Sequence, residues 1–346
     1  MPGDGTKTAT TTHKAPIWLR YRRRLIRKKL LWRAFRSRRE LTLAKDRRDK
    51  IEPNTILAFT TLRNEVIRIP FFLNHYRSLG VGHFFMIDNG STDESAELLR
   101  RQPDVTLYQT QAGYRASRFG VDWTNWLLRR FGSGRWCVIA DVDEALIYPD
   151  WDRRDLKVLT SWLDRHNHAM MGAIMLDMYP QGPPDQQIYR PGQDPFSILD
   201  WFDAHGYWVQ RQPKLDNLWL QGGVRARCFF ENTPEKAPTL NKIPLINWKP
   251  QYALVNSTHS GLPTHLNHVW KTGVSGALLH SKFLPGTATR AIEEKARDEH
   301  FKFGEKYADY YDQLAANPDM WHPDSTQYQG WRQLLALGLI SQEDWL

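Results

Sequence analysis

The nine residues Trp136-Cys137-Val138-Ile139-Ala140-Asp141-Val142-Asp143-Glu144 constrain this chain more than any other stretch. An apolar, partly β-branched run entered from the loop Gly132-Ser133-Gly134 predicts a strand buried on both faces, as central strands of α/β sheets are. The run ends in two carboxylates one residue apart. In open α/β sheets ligands bind beyond the carboxyl ends of the strands, so Asp141 and Asp143 stand where a ligand would lie. Oxygen donors there suit a hard divalent cation, Mg²⁺ or Mn²⁺, which in turn suits a diphosphate. A solvated acidic turn carries the same three letters, and only the flanking chain distinguishes the two.

The flanks repeat the pattern. Residues 56–60 (Ile-Leu-Ala-Phe-Thr) predict a strand, followed by the loop Thr61-Leu62-Arg63-Asn64-Glu65. Ile69, Phe72, Leu73, Tyr76 and Leu79 mark an amphipathic helix that begins around Pro70 and stops at Gly80. Residues 83–87 predict the next strand, ending in Asp88 and turned by Asn89-Gly90. Ser91-x-x-Glu94 has the spacing of a capping box for the helix that carries Ala96, Leu98 and Leu99. Residues 105–108 predict a third strand and 117–131 a third helix. Residues 54–150 therefore predict a doubly wound, mostly parallel α/β unit.

Past Tyr148 the pattern becomes irregular. Residues 155–167 predict a helix, 173–176 a strand, and 177–217 loop structure rich in Pro, Gly, Gln and aromatics. Residues 224–230 predict a strand, 252–255 a short one, and 288–303 and 307–316 helices. The expected organisation is an arm over 1–50, a nucleotide-binding half over 54–150, an irregular acceptor-binding half over 151–305, and a helical tail over 306–346.

The net charge of +9 hides an asymmetry: residues 1–50 hold 17 Lys/Arg against 4 Asp/Glu, and the rest of the chain is mildly acidic. Residues 1–13 are small and polar and predict disorder. In residues 17–35, Trp18, Tyr21, Leu25, Trp32 and Phe35 fall near helical spacing among arginines and lysines. That composition predicts a helix on an anionic membrane surface, with residues 17–39 as the contact. Two weaker expectations for this arm are a merely solvated helix and, after it, nucleic acid, because the interleaved Trp and Leu suit a bilayer better. The chain has no apolar run long enough to span a bilayer and no secretory signal, and its two cysteines are too few for a disulfide framework. The expected place is the cytoplasm, peripheral on the inner face of the membrane.

Residues 55–305 resemble the bacterial branch of the family 2 nucleotide-sugar glycosyltransferases, which have the GT-A fold. The residues that carry the resemblance are Arg63-Asn64-Glu65, then Ile87-Asp88-Asn89-Gly90-Ser91-Thr92-Asp93, then the run from Trp136 to Glu144. Gly222-Gly223-Val224-Arg225-x-Arg227, Lys242-Ile243-Pro244-Leu245, Ser257-Thr258-His259 and Leu278-Leu279-His280-Ser281-Lys282-Phe283 extend it. The resemblance implies a metal-dependent, inverting transfer of sugar from a UDP- or GDP-type donor to a glycan or lipid-linked acceptor in surface-polysaccharide synthesis. It implies that Arg63, Glu65, Asp88, Asp141, Arg225, Arg227 and Lys282 bind the nucleotide sugar. Asp141, Asp143 and His280 would hold Mn²⁺ or Mg²⁺, and Asp177, Asp203 and Glu231, with Asp200, are the candidates for the base that takes the acceptor proton. His259, His265 and His268 are weaker candidates, and without a cysteine nearby they do not suggest zinc. Two rival readings are a nucleotidyltransferase that makes nucleotide sugars and a non-enzymatic protein that uses the arm to hold membrane or nucleic acid. The first usually has a glycine-rich loop after its first strand, which residues 60–65 lack.

Overall fold

A computed structural model describes residues 15–297 and 304–345. The expected disordered stretch 1–13 lies outside these residues. The main sheet has nine strands: β1 (Thr42–Lys45), β2 (Ile56–Leu62), β3 (Val81–Asp88), β4 (Val105–Gln109), β5 (Trp136–Ile139), β6 (Glu144–Ile147), β7 (Met170–Asp177), β8 (Asn241–Asn247) and β9 (Gly276–His280). Their spatial order is β1-β4-β3-β2-β5-β8-β7-β9-β6. Strands β4, β3, β2 and β5 are parallel, as are β7 and β9, while β1, β8 and β6 run antiparallel to their neighbours. Strand order reverses between β2 and β5. An α/β sheet opens a crevice at such a point.

The helices are α1 (Ile17–Ser37), α2 (Ile69–Ser78), α3 (Ser95–Arg100), α4 (Val121–Leu127), α5 (Leu156–Arg165), α6 (Gly223–Phe229), α7 (Thr287–Arg297), α8 (Gly304–Ala315) and α9 (Trp331–Ala336). Strand periodicity assigns side chains to two cores. Ile56 and Ala58 of β2, Phe84 and Met86 of β3, and Trp136 and Val138 of β5 pack with α2, α3 and α5. Their alternates Leu57, Phe59, Phe85, Ile87, Cys137 and Ile139 pack with α4 on the opposite face. Helices thus cover both faces, as the sequence predicts.

Four expectations change. Residues 224–230, read as a strand, form α6, because the chain enters there through Gly222 and Gly223, both at positive φ. A Cβ at Gly222 would run into the Gly206 carbonyl and Tyr207, so only glycine allows this approach. Ser91 does not cap a helix. Its hydroxyl accepts from the Asn64 amide at 2.9 Å, and the first turn of α3 is held instead by Asp93, which accepts from Ser95 N at 2.9 Å. The arm is not separate from the body: β1 pairs with β4, and α1 packs on α4. The tail is likewise woven in, with Thr326–Gln327 pairing to Trp201–Phe202 and Trp331 and Leu334 packed into a third core beside β6 and β9.

Candidate active site

A cleft of about 680 Å³ lies over the carboxyl ends of β2 and β5, where strand order reverses. Its floor carries Asp141, Asp143 and Glu144, its walls Arg63, Glu65, Arg68, Tyr114, Lys242 and Lys282, and its rim Arg290, Glu293 and Glu294 of α7.

Two carboxylates of the opening motif have different partners. Asp141 is half-exposed and pairs with the buried Lys242 ammonium at 3.1 Å, which also holds Glu144 at 2.7 Å. Burial pushes the Glu144 carboxyl up to about 7, against the pull of Lys242. Asp143 faces His280 instead, Oδ2 to Nε2 at 3.0 Å. His280 Nδ1 lies 2.6 Å from Asp177 Oδ1, and the other Asp177 oxygen accepts from Arg225 Nε at 2.7 Å. A buried line therefore runs Arg225, Asp177, His280, Asp143. Sheet register explains it, because His280 is the direct partner of Asp177 in β7 and of Glu144 in β6.

The charges follow from these contacts. Burial works against the Asp177 charge, but Arg225 and the His280 hydrogen bond bring its carboxyl down to about 2. Burial also opposes charge on His280, yet Asp143 and Asp177 lift it well above its ordinary value. His280 in turn outweighs the burial of Asp143 and holds that carboxyl well below the usual range. Ionised Asp177 and Asp143 only accept, so the charged His280 donates from Nδ1 to Asp177 and from Nε2 to Asp143, and a cation bound at Nε2 would displace that second proton. A histidine whose second nitrogen donates to a carboxylate is the usual supporting arrangement for a metal ligand. Among the described residues no three His, Cys, Asp or Glu side chains converge as a cage. Mg²⁺ commonly takes only one or two carboxylates and leaves its other positions to phosphates and water. Asp143 and His280 fit that pattern. Asp141, turned onto Lys242, stands beside them.

Of the expected nucleotide-binding residues, Arg63, Glu65, Asp141, Arg225 and Lys282 line the cleft. Glu65 Oε2 pairs with Arg68 at 2.9 Å and Arg290 at 3.4 Å, and burial pushes its carboxyl up to about 7 against Arg68, with Asp143 adding to the rise. Asp88 does not line the cleft. It is buried below, where one oxygen accepts from Ser91 N and the other from Gln109 Nε2, both at 3.0 Å, so it shapes the loop.

Arg227 lies outside as well, paired with Asp203 at 2.9 Å and bonded to the Met320 carbonyl. That pairing also removes Asp203 from the candidates for a base. Asp177 is held at both oxygens beneath His280, Asp200 accepts from Gln327, and Glu231 is exposed away from the cleft. The carboxylates that do line the cleft are Glu65, Glu144, Glu293 and Glu294 besides the aspartates. Only His259 of the weaker histidines lines it, half-buried and bonded to the Asn241 carbonyl. His265 bonds Tyr252, and His268 bonds Asp216.

Sequence reasoning missed Arg68 and Arg290, and named Lys242 only as part of the resemblance, without a role in the site. Two of them carried a signal: Arg68 precedes an amphipathic helix, and Lys242 opens an apolar strand, and a cation inside an apolar run is there to meet a charge.

Neither a protein-family model nor a curated protein matches the chain. Among solved structures, a putative glucose-1-phosphate thymidylyltransferase from Bacillus anthracis aligns over 75% of this chain and 82% of its own, at 10% identity and a TM-score of 0.29. At that score the likeness carries no argument about function, and the reading rests on the α/β sheet and the cleft themselves.

Proposed function

We propose that the protein is a glycosyltransferase of the GT-A, family 2 type that uses a UDP- or GDP-type sugar donor. The observation that carries this reading is the pair Asp141 and Asp143, set at the strand-order reversal in a cleft lined by Arg63, Arg68, Arg225, Lys242, Lys282 and Arg290. A donor diphosphate needs such cations, because negative charge builds on it as it leaves. Arg225 and Arg68 are both buried in the cleft wall, and among the described residues Arg225 Nη2 and Arg68 Nε have no hydrogen-bond partner.

Asp143 and His280 would hold Mg²⁺ or Mn²⁺, with Asp141 beside them. The cation would supply Lewis-acid neutralisation of the leaving diphosphate. Tyr114 lines the cleft wall beside these carboxylates. A base must stand in the cleft, and Glu65 and Glu144, both raised by burial to about 7, line it where Asp177, Asp203 and Glu231 do not. The acceptor class, glycan or lipid-linked, and the inverting outcome belong to the same proposal.

Calorimetric titration of UDP, GDP, CMP and dTDP with and without Mn²⁺ tests it. Metal-dependent binding of one nucleotide, lost in Asp143→Asn, supports the reading. No nucleotide binding under any condition overturns it. Release of pyrophosphate from a nucleoside triphosphate and a sugar 1-phosphate would turn it to nucleotidyl transfer, which the same architecture can host.

A further inference from the structure

Helix α1 is apolar on two sides, and the body covers only one. Leu30, Ala34 and Ser37 are buried where the helix lies on α4. Phe35 meets Trp126 edge-on, Arg33 donates to Asp122 at 2.9 Å and to the Ala116 carbonyl at 2.8 Å, and Arg23 donates to the carbonyls of Pro213 and Lys214. These contacts fix the helix on the molecule, and so fix where its other side faces.

On that side Trp18, Tyr21, Leu25 and Trp32 follow at steps of three, four and seven residues, one stripe of an α-helix. Ile17 lies next to it, and Phe35 stands at its edge, in contact with Trp126 yet still 45% exposed. Trp18 is 61% exposed and Trp32 57%, and these six residues are more than half of the large hydrophobics exposed among the described residues. Arg20, Arg24 and Lys28 border the stripe on one flank, and Arg22, Lys29 and Arg36 on the other, all exposed. None of the six forms an ion pair among the described residues.

An apolar stripe of this kind marks an interaction surface rather than a scattered exposure. Its composition selects the occupant. Trp and Tyr pair a flat apolar ring with a polar edge, which suits the water–hydrocarbon boundary of a bilayer. Flanking cations complement anionic headgroups. A nucleic-acid groove would satisfy the arginines but leave Ile17 and Leu25 uncovered. We infer that the outward face of α1 docks the protein on an anionic lipid bilayer, with the helix lying roughly 31 Å along the surface. No helix among the described residues is long and apolar enough to cross a membrane, which agrees with docking rather than insertion. On its body side the helix comes near the cleft: Ala116, bonded to Arg33, is two residues from Tyr114 in the cleft wall. None of this depends on the glycosyltransferase reading, and vesicle binding can fail or succeed whatever the nucleotide titrations give.

Co-sedimentation of the full chain with vesicles of phosphatidylcholine, with and without phosphatidylglycerol, tests the inference. The expected result is binding to the anionic vesicles that weakens with salt. Arg24→Gln with Lys28→Gln should reduce it about 30-fold, at about fivefold per charge. Trp18→Ser with Trp32→Ser should abolish it while leaving the thermal midpoint in place, since both rings are exposed. The inference is overturned by no binding, by equal binding to neutral vesicles, or by either double variant binding like wild type with its fold intact. Displacement of the vesicles by a double-stranded oligonucleotide would also overturn it, and would assign the helix to nucleic acid.

Discussion

Replacing Lys242 with methionine removes the ammonium that Glu144 and Asp141 share. Lys242 is 4% exposed at its side chain and Glu144 1%, with 2.7 Å between the charged atoms. Asp141 is 52% exposed, so water replaces the lost partner there at little cost. Glu144 has no such recourse, and leaving a buried charge uncompensated costs about 3–5 kcal/mol. Its carboxyl can escape by taking a proton, which makes the cost depend on pH. In the wild type burial raises the Glu144 value from 4.5 to about 7 while Lys242 pulls it down, so without Lys242 it rises further. A folded value above the unfolded one means stability is complete at low pH and lost as pH rises to the folded value. Below about pH 7 Glu144 is protonated in both folded proteins, and the difference between them is flat. Above it the wild type ionises and loses no more, whereas the variant goes on losing about 1.4 kcal/mol per pH unit. Urea denaturation followed by circular dichroism from about pH 6 to about pH 9 reads this directly. Adding Glu144→Gln should flatten the rise. A penalty that does not grow above neutrality, or a rise that survives in the double variant, refutes the assignment of Lys242 as the counter-charge of a buried carboxylate.

Two further outcomes follow from the same contacts. His75 is buried, with Nε2 2.9 Å from the Leu146 carbonyl, and burial lowers it to about 4. Its folded value is below the unfolded one, so the stability it preserves is complete above about pH 6.5 and lost as pH falls toward 4. His75→Gln keeps a donor for Leu146, and should lose about 2 kcal/mol less than wild type between pH 7 and pH 5 in urea titrations; equal losses would rule this out. Asp177→Asn frees the His280 ring and strips Arg225 of its counter-charge. Metal-dependent nucleotide affinity should fall about 10–100-fold in calorimetry, and an unchanged affinity in the folded variant would show that Asp177 does not position His280.

The parallel half of the fold was legible because strands 56–60, 83–87, 105–108 and 136–140 are near-continuous apolar runs, each with a turn signal behind it. The second half was not. Strand β8 begins with Asn241 and Lys242 and contains Pro244, and β6 begins with the glutamate of the motif itself, so neither looks apolar at its start. Gly222-Gly223 ahead of α6 looks like a turn before a strand until the approach of Tyr207 shows why two glycines are needed there. In the site, Asp141, Asp143, Glu65 and His280 could be named because each closes or follows a strand. Asp203 and Glu231 were named only because they are carboxylates in the right part of the chain. Which carboxylates reach a cleft depends on the pairing of distant segments, such as Arg227 with Asp203, and one-dimensional spacing does not contain that pairing.

A carboxylate pair at a strand end is common to many α/β sheets. What makes this pair a site is the antiparallel segment that follows it. The chain turns at Asp143 into β6, β6 pairs with β9, and the register sets His280 opposite Glu144 and beside Asp177. Side chains alternate along a strand, so a one-residue slip of β9 would turn His280 to the other face of the sheet. Gly276 pins that register at the other end, since a Cβ there would press within 2.5 Å of the Ile147 carbonyl on β6 and 3.3 Å of Leu146 and Met171. The orientation of Asp143 is therefore decided more than 130 residues away, by how tightly β9 fits between β6 and β7. The motif supplies the carboxylate, and the second half of the sheet decides where it points.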